Sequence, residues 1–202
     1  TYTPRAEIAR LHAALPANVL LVLDQAYAEY LAPEEDDGGL DLAKTTANVL
    51  VTRTFSKIYG LASARVGWGY AAPAIIDALH RIRAPFGSSI AAYDAAVAAL
   101  GDTDFVEKSR THNAKWRGWF ANEIAKLGNA GLRAVPSKAN FVLVLFDGAL
   151  TAAAACKGLM EAGYATRLLA GQDLPNGLRI TIGTEAQMRD VVRVIRDMAE
   201  QI

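Results

Sequence analysis

The sequence predicts an α/β fold, in which a mostly parallel sheet covered by helices is followed by a smaller α+β domain. Apolar runs of strand length alternate with longer segments that have helical periodicity. The first two runs, residues 19–23 and 49–51, contain no polar residue, which is typical of strands buried on both faces of a parallel sheet. The last third of the chain changes to the order strand, helix, strand, strand, helix, which indicates a second domain.

Composition restricts the classes of protein to which the chain can belong. It has 202 residues, of which 52% are hydrophobic and 21% are charged, so a sizeable core is expected. The 21 basic and 21 acidic residues cancel, which gives no electrostatic reason to expect a nucleic-acid or membrane partner. No apolar run is long enough to span a bilayer, and no signal peptide is visible, so we expect a cytoplasmic protein.

The amino-terminal part is predicted to alternate between helix and strand. Residues 5–15 have apolar side chains at helical spacing. Buried strands are expected at 19–23 and 48–52, on either side of an acidic, glycine-rich loop over 34–39. A third short strand is expected at 64–70.

Helices then dominate until the small domain begins. We expect a helix from Pro73, a second over 91–100 and a long third over 105–127, with the domain boundary inside the third. The predicted domains are 1–115 and 116–202. In the second domain we expect a strand at 140–146, a helix at 151–162, strands at 164–169 and 178–182, and a helix at 185–201.

Polar residues follow the first two predicted strands where each of them ends. Asp24 closes the first strand and Tyr27 lies three residues later, at the edge where open α/β sheets bind ligands. A carboxylate there can pair with a cationic ring nitrogen, and a phenol can lie beside the same ring. Considered alone, the pair is more often a turn cap and a packing aromatic.

A lysine follows the second predicted strand, and two residues with hydroxyl groups precede it. Lys57 follows Thr54 and Ser56, and Arg65 comes eight residues after the lysine. A lysine outside a buried strand can serve as an amine nucleophile for an aldehyde, and hydroxyls with a guanidinium suit a phosphate. Singly, solvated loop charges explain the lysine and the arginine as well. Together with the acid and phenol of the first strand, they form the parts that a pyridoxal-phosphate site needs.

Other kinds of site find little support in the sequence. The single cysteine excludes a disulfide framework and a cysteine zinc cluster within the chain. The three histidines, at positions 12, 80 and 112, are scattered, so no metal is expected. The phosphate-binding loop, zinc-protease and nucleophile-elbow motifs are absent from the sequence.

Longer segments extend the pattern along the whole chain. They are VLLVLDQAYAEY at 19–30, RTFSKIYGLASARVG at 53–67, SKANFV at 137–142 and LRITIGT at 178–184. In this combination and order the chain resembles the fold-type I pyridoxal-phosphate aminotransferases, most closely the histidinol-phosphate aminotransferases. The lysine segment carries the most specific part of this resemblance.

The resemblance implies a role for each matching residue of the cofactor site. Lys57 would form the Schiff base with pyridoxal phosphate and then move the substrate proton. Asp24 would pair with the pyridinium nitrogen, and Tyr27 would donate to the ring hydroxyl. The cofactor phosphate would be held by Thr54, Ser56 and Arg65.

For the substrate, the resemblance points to two arginines. Arg179 would bind the α-carboxylate, and Arg167 would meet a substrate phosphate, although an ordinary surface arginine explains Arg167 equally well. The implied reaction is amino transfer between histidinol phosphate and 2-oxoglutarate by a homodimer. A phosphoamino-acid decarboxylase of the same fold and a catalytically inactive aminotransferase-like binding module are the alternatives.

The chain departs from the family pattern at one residue, with little expected effect because Asp24 is retained, and in its extent. Gln25 stands where the family usually has an acidic residue after the strand aspartate. The resemblance covers the carboxy-terminal part of the family only, so we expect the amino-terminal half to be absent. That half supplies further phosphate donors and neighbouring strands in the family, so some apolar sheet surface should be uncovered.

Overall fold

The computed structural model describes residues 2–85 and 87–201, so residues 1, 86 and 202 of the predicted domains lie outside it. The chain divides into two compact units, Thr3–Arg110 and the part from Thr111 onward. This division lies in the same long helix as the predicted boundary between residues 115 and 116.

The first unit contains three strands and four complete α-helices in its described residues. In chain order they are α1 (Arg5–Ala14), β1 (Leu21–Asp24), α2 (Gly39–Thr45), β2 (Val49–Thr54), β3 (Gly67–Ala71), α3 (Pro73–Ile82) and α4 (Ile90–Gly101). The long helix α5 (Thr103–Ala125) begins in this unit and continues into the second.

The strands of the first unit form a mixed sheet in the order β1-β2-β3. β1 and β2 are parallel and are connected through α2, as a parallel pair requires a crossover. β3 is antiparallel to β2, because the chain returns directly through the loop over 55–66 without a crossover helix. The predicted α/β class is therefore present, but the sheet was predicted to be mostly parallel and has one parallel and one antiparallel pair.

Burial of β1 differs from the sequence prediction. We expected this strand to be buried on both faces, but Val22 is 51% exposed, whereas Val49 and Val51 of β2 are fully buried. Helix α2 packs its Ala43 against Val49 and Val51, and Leu21 of β1 joins this cluster. One face of β1 is thus covered, and an apolar side chain of the other face is open to solvent.

The sequence analysis did not predict one helix of this unit, α2. Helix α2 has only seven residues, and its amino-terminal cap is Gly38 with φ of 72°. Because it follows the acidic, glycine-rich stretch, local propensity favours a loop there. Burial of Ala43 against β2 explains why the segment is helical in the folded chain.

The second unit is a four-stranded antiparallel sheet in the order β4-β5-β7-β6, with helices on one face. Its elements after α5 are β4 (Leu132–Val135), β5 (Phe141–Phe146), α6 (Ala152–Glu161), β6 (Arg167–Leu168), β7 (Gly177–Thr181) and α7 (Glu185–Glu200). The sequence predicted all of these except β4, a short strand with an arginine and an alanine inside it.

Alternation along the strands separates a core face from an outer face. Val142 and Val144 of β5 are buried with Leu178 of β7, whereas Phe141 and Leu143 point to the other side. The core is completed by Trp116, Phe120 and Ile124 of α5, Leu159 of α6, and Met188, Val191, Val192 and Ile195 of α7. The helices of this core therefore pack on one face of the sheet, and Arg179 lies on the other face.

Two backbone segments of the second unit pass unusually close to each other before β4 and after β5. A Cβ added to Gly148 would lie 2.1 Å from the carbonyl oxygen of Ala130, and one added to Gly131 would lie 2.4 Å from the nitrogen of Gly148. Gly131 also has a φ of 79°, which disfavours any other residue. The backbone amide of Asp147 donates to the carbonyl of Gly131 at 2.8 Å, so this crossing connects β4 to the end of β5.

Within the described residues, none of the helices has the length and apolar character needed to cross a membrane.

Candidate functional site

The carboxyl ends of β1 and β2 place Asp24 and Thr54 at the same edge of the sheet. Because the two strands are parallel and in register, Asp24 lies opposite Thr52, whose hydroxyl donates to the aspartate at 3.4 Å. The Asp24 side chain is exposed, so its carboxylate is available to a ligand at this edge. The predicted position of this acid at a strand end is confirmed.

Lys57 and Tyr27 meet beside this edge. The Lys57 ammonium lies 5.2 Å from the centroid of the Tyr27 ring, within the range of a cation–π contact. Both side chains are half-buried. The backbone turns directly after the lysine, where the amide of Gly60 donates to the Lys57 carbonyl at 2.9 Å and Gly60 has a φ of 71°. This turn holds the lysine near the strand end.

Hydroxyl groups and a guanidinium gather next to Lys57. The Ser56 amide donates to the Thr54 hydroxyl at 3.0 Å, and Arg65 Nη1 donates to the Ser56 hydroxyl at 3.4 Å and to the Ala62 carbonyl at 2.9 Å. Arg65 has a φ of 53°, a left-handed conformation that is uncommon outside glycine and clusters at functional sites. These donors are of the kinds that bind a phosphate.

In the second unit, Arg179 lies on the outer face of β7. Its guanidinium carbon is 4.9 Å from the centroid of the Phe141 ring, and it borders a cavity of about 190 Å³ that Ser137 and Gln172 also line. Its Nε is buried and has no hydrogen-bond partner in the part of the chain that the structure describes. A buried donor without an acceptor is costly, so this atom fits a bound anion such as a carboxylate.

Arg167 lies directly opposite Arg179 across the antiparallel β6–β7 pair. Residues opposite each other in such a pair project from the same face, so the two guanidinium groups share the outer face of this sheet. Arg167 is exposed, whereas Arg179 is half-buried. Two positive charges on the same sheet face suit a ligand that carries more than one negative charge.

The structure therefore brings the predicted residues into two groups, one in each unit. Asp24, Tyr27, Thr54, Ser56, Lys57 and Arg65 meet at one sheet edge of the first unit, and Arg167 and Arg179 meet on one sheet face of the second. The sequence reading overlooked Arg53, which directly precedes Thr54 and pairs with Glu29. Arg53 is the one charged residue of β2, and this charge inside a strand was the signal that could have revealed it.

Two of the three histidines have hydrogen-bond partners of their own. His12 Nε2 lies 2.9 Å from Asn48 Oδ1, and His112 Nε2 lies 2.9 Å from the carbonyl of Gly183. Across residues 2–85 and 87–201, no three histidine, cysteine, aspartate or glutamate side chains form a group that could hold a metal ion.

Comparison with known proteins assigns the chain to a class. The model of the class I and II aminotransferases matches residues 1–195, and the chain belongs to this family. It is 62% identical over 201 residues to the histidinol-phosphate aminotransferase of Zymomonas mobilis and 60% identical over 196 residues to that of Sphingopyxis alaskensis. These alignments cover 100% and 97% of this chain but only 54% and 53% of the relatives.

A solved structure shows the same relation. The histidinol-phosphate aminotransferase of Sinorhizobium meliloti, determined in complex with pyridoxal-5'-phosphate, superposes with a TM-score of 0.77 at 31% identity. The superposition covers 98% of this chain and 54% of that one. The chain thus spans about half the length of the relatives that it matches.

Proposed function

We propose that the chain provides the lysine-bearing part of an aminotransferase that uses pyridoxal phosphate to transfer an amino group between histidinol phosphate and 2-oxoglutarate. The observation that carries this proposal is the cluster of Lys57, Tyr27, Ser56 and Arg65 at the carboxyl end of β2. High identity to proteins named for this reaction supports the choice of substrate. Histidine biosynthesis, a homodimeric state and a cytoplasmic location belong to the same proposal.

The residues present fit the cofactor on chemical grounds. Pyridoxal phosphate supplies an aldehyde for the amino group and a ring that withdraws electrons from the substrate. Arg65 and the hydroxyls of Thr54 and Ser56 would bind its phosphate, and the exposed Asp24 carboxylate would hold a proton on the ring nitrogen. The Tyr27 hydroxyl would donate to the ring oxygen.

Lys57 would perform the proton transfer. Its Nζ would hold the cofactor covalently and, as a general base, would take the proton from the substrate α-carbon. The Tyr27 ring, whose centroid lies 5.2 Å from the ammonium, restricts where this nitrogen can lie and would help to orient it for the proton transfer.

The arginines of the second unit would bind the substrate. The Nε of Arg179, which has no hydrogen-bond partner among the described residues, would donate to the α-carboxylate of 2-oxoglutarate as part of a two-point contact. Arg167, on the same face, would meet the phosphate of histidinol phosphate or the second carboxylate of 2-oxoglutarate. 2-Oxoglutarate carries two carboxylates, whereas histidinol phosphate carries its negative charge on one phosphate monoester, and a pair of arginines can bind either at one site.

The proposal predicts that Lys57→Ala abolishes covalent attachment of pyridoxal phosphate. The purified chain should show a visible absorption band with added cofactor, and borohydride should fix the cofactor to residue 57, as peptide mass spectrometry would detect. Lys44→Ala, which removes an exposed lysine of the same unit, serves as the matched control and should behave as wild type.

A second experiment tests the reaction. Incubation with histidinol phosphate and 2-oxoglutarate should yield glutamate and an oxo product, whereas release of carbon dioxide from a phosphoamino acid would favour the decarboxylase. Cofactor fixed equally in wild type and Lys57→Ala would contradict the assignment of the lysine. Absence of any fixation in the wild type would identify the chain as a part that binds no cofactor alone.

A further inference from the structure

Arg53 is the β2 residue directly before Thr54, and its side chain contacts two neighbouring segments of the first unit. Its Nε donates to Gln25 Oε1 at 2.9 Å, and its Nη1 lies 3.4 Å from Glu29 Oε1. Its guanidinium carbon also lies 5.5 Å from the ring centroid of Trp68, its cross-strand partner on β3. One side chain therefore connects β2 both to the turn after β1 and to β3.

The ion pair between Arg53 and Glu29 is largely withdrawn from water. The two side chains are only 17% and 11% exposed. Burial raises the pKa of the Glu29 carboxyl above its ordinary value, while the hydrogen bond from its own backbone and the charges of Arg53 and Arg110 act in the opposite direction. Because desolvation offsets the attraction in such a pair, its presence is weak evidence of a contribution to stability. The pair also fixes the position of Arg53 relative to Glu29, and a gain in stability does not explain this constraint.

The two partners of Arg53 are themselves held in place. Gln25 is 5% exposed and donates through Nε2 to Asp37. The backbone carbonyl of Glu29 accepts from Arg110 Nε at 2.9 Å. Arg53 therefore contacts fixed groups rather than mobile surface side chains.

The sequence positions of these partners relate the contacts to the site. Gln25 directly follows Asp24, and Glu29 comes two residues after Tyr27, so Arg53 contacts both ends of the segment that presents these two residues. On its own strand, Arg53 is followed at once by Thr54 and the lysine turn.

We propose that Arg53 is a positioning residue, which fixes the Asp24–Tyr27 segment relative to the Thr54–Lys57 segment. The inference rests on the proposed function for what these segments bind, but the geometry that it predicts can be measured without cofactor. It also assigns a role to Gln25, the departure from the family pattern: its amide oxygen accepts from Arg53 without adding a second carboxylate beside Glu29.

Two variants separate positioning from folding. Arg53→Met leaves the Glu29 carboxylate buried without its counter-charge and can unfold the chain. The double variant Arg53→Met/Glu29→Gln removes both charges and keeps side chains of similar length. Its matched control is Arg10→Met/Glu7→Gln, which makes the same two changes in an exposed ion pair of α1.

Hydrogen–deuterium exchange of the cofactor-free chain is the first readout. In the double variant, we expect faster exchange at residues 24–30 and 54–57, with unchanged exchange at 141–146 in the second unit. With pyridoxal phosphate added, we expect the Kd to rise about tenfold, as is common when a residue that orients binding groups is lost. The pH midpoint of the visible absorption band should also shift, and the α1 control should change none of these.

Three results would overturn the proposal. They are unchanged exchange at 24–30 and 54–57 in the double variant, faster exchange spread through both units, or local exchange changes with wild-type Kd and pH midpoint. If the wild-type chain takes up no cofactor, the proposed function of this chain fails separately, and the exchange pattern alone then decides for or against Arg53.

Discussion

Arg167 and Arg179 place two like charges on one face of the second sheet. They lie directly opposite each other on β6 and β7, and neither forms an ion pair with a carboxylate in the part of the chain that the structure describes. Like charges at opposite positions of an antiparallel pair are destabilising. The anion that the proposed function places between them would offset this repulsion.

We therefore expect Arg167→Gln to stabilise the ligand-free chain by about 0.2–1 kcal/mol at low ionic strength. The gain should shrink as salt is added, because salt screens the repulsion between exposed charges. Urea unfolding at two salt concentrations measures both effects. Arg133→Gln is the control, since Arg133 is an exposed arginine of the same sheet whose opposite residue is Leu145. Lower stability of Arg167→Gln than of wild type at low salt would refute the repulsion.

The sequence predicted site residues best where they are neighbours along the chain. Lys57 and its two hydroxyl neighbours lie within the four positions 54–57 at the end of β2, so their proximity follows from local geometry. Arg53 could not be assigned in this way, because its contact with Gln25 joins residues 28 positions apart. The register of β1 against β2 decides that contact, and no local pattern encodes it.

Among the elements, those with a strong period were predicted and those that depend on tertiary packing were not. The apolar face of α7 repeats at helical spacing, and its burial follows the pattern. Strand β4 has four residues and lies at the edge of its sheet, so it offers too short a pattern to recognise. The antiparallel pairing with β5 fixes the position of β4 in the sheet.

Helix α7 also begins with a capping box, which offers a test at this scale. Thr184 Oγ1 accepts from the Gln187 amide at 3.4 Å, and the Gln187 side chain accepts from the Thr184 amide at 2.9 Å. We expect Thr184→Ala to lower the free energy of unfolding by about 1 kcal/mol, because a helix amide loses its acceptor. Chemical denaturation measures the change. Thr184→Ser keeps the hydroxyl and should retain most of the stability; equal losses in both variants would argue against the cap.

For the whole molecule, the apolar cores of the two units differ greatly in size. The second unit has one large cluster, which joins α5, α6, α7 and the sheet. In the first unit, the described residues form two small clusters, around Val49 and around Phe55. Helix α4 of that unit also presents Ile90, which is 80% exposed, and Val97, which is 71% exposed. Exposed apolar surface of this kind is typical of a face that packs against other protein.

This difference predicts unequal local stability. Backbone amides of β5 and β7 should exchange with deuterium more slowly than those of β1 and β3, because local opening of the second sheet exposes more buried apolar surface. Native-state hydrogen exchange of the purified chain measures the order. Equal or greater protection of β1 would show that core size does not control stability here.

The close approach of the backbone at Gly131 and Gly148 affects how substitution data are interpreted, because intolerance to substitution is often taken as a sign of a catalytic or binding role. Neither position has room for even a methyl group, so a saturation library selected for function should recover almost no variants at either. Substitutions at the two glycines would be rejected as strongly as substitutions at Lys57, although the glycines only allow the two backbone segments to pass close to each other. Separate selection for abundance would distinguish the two causes, since glycine variants would be lost from both screens and lysine variants from one.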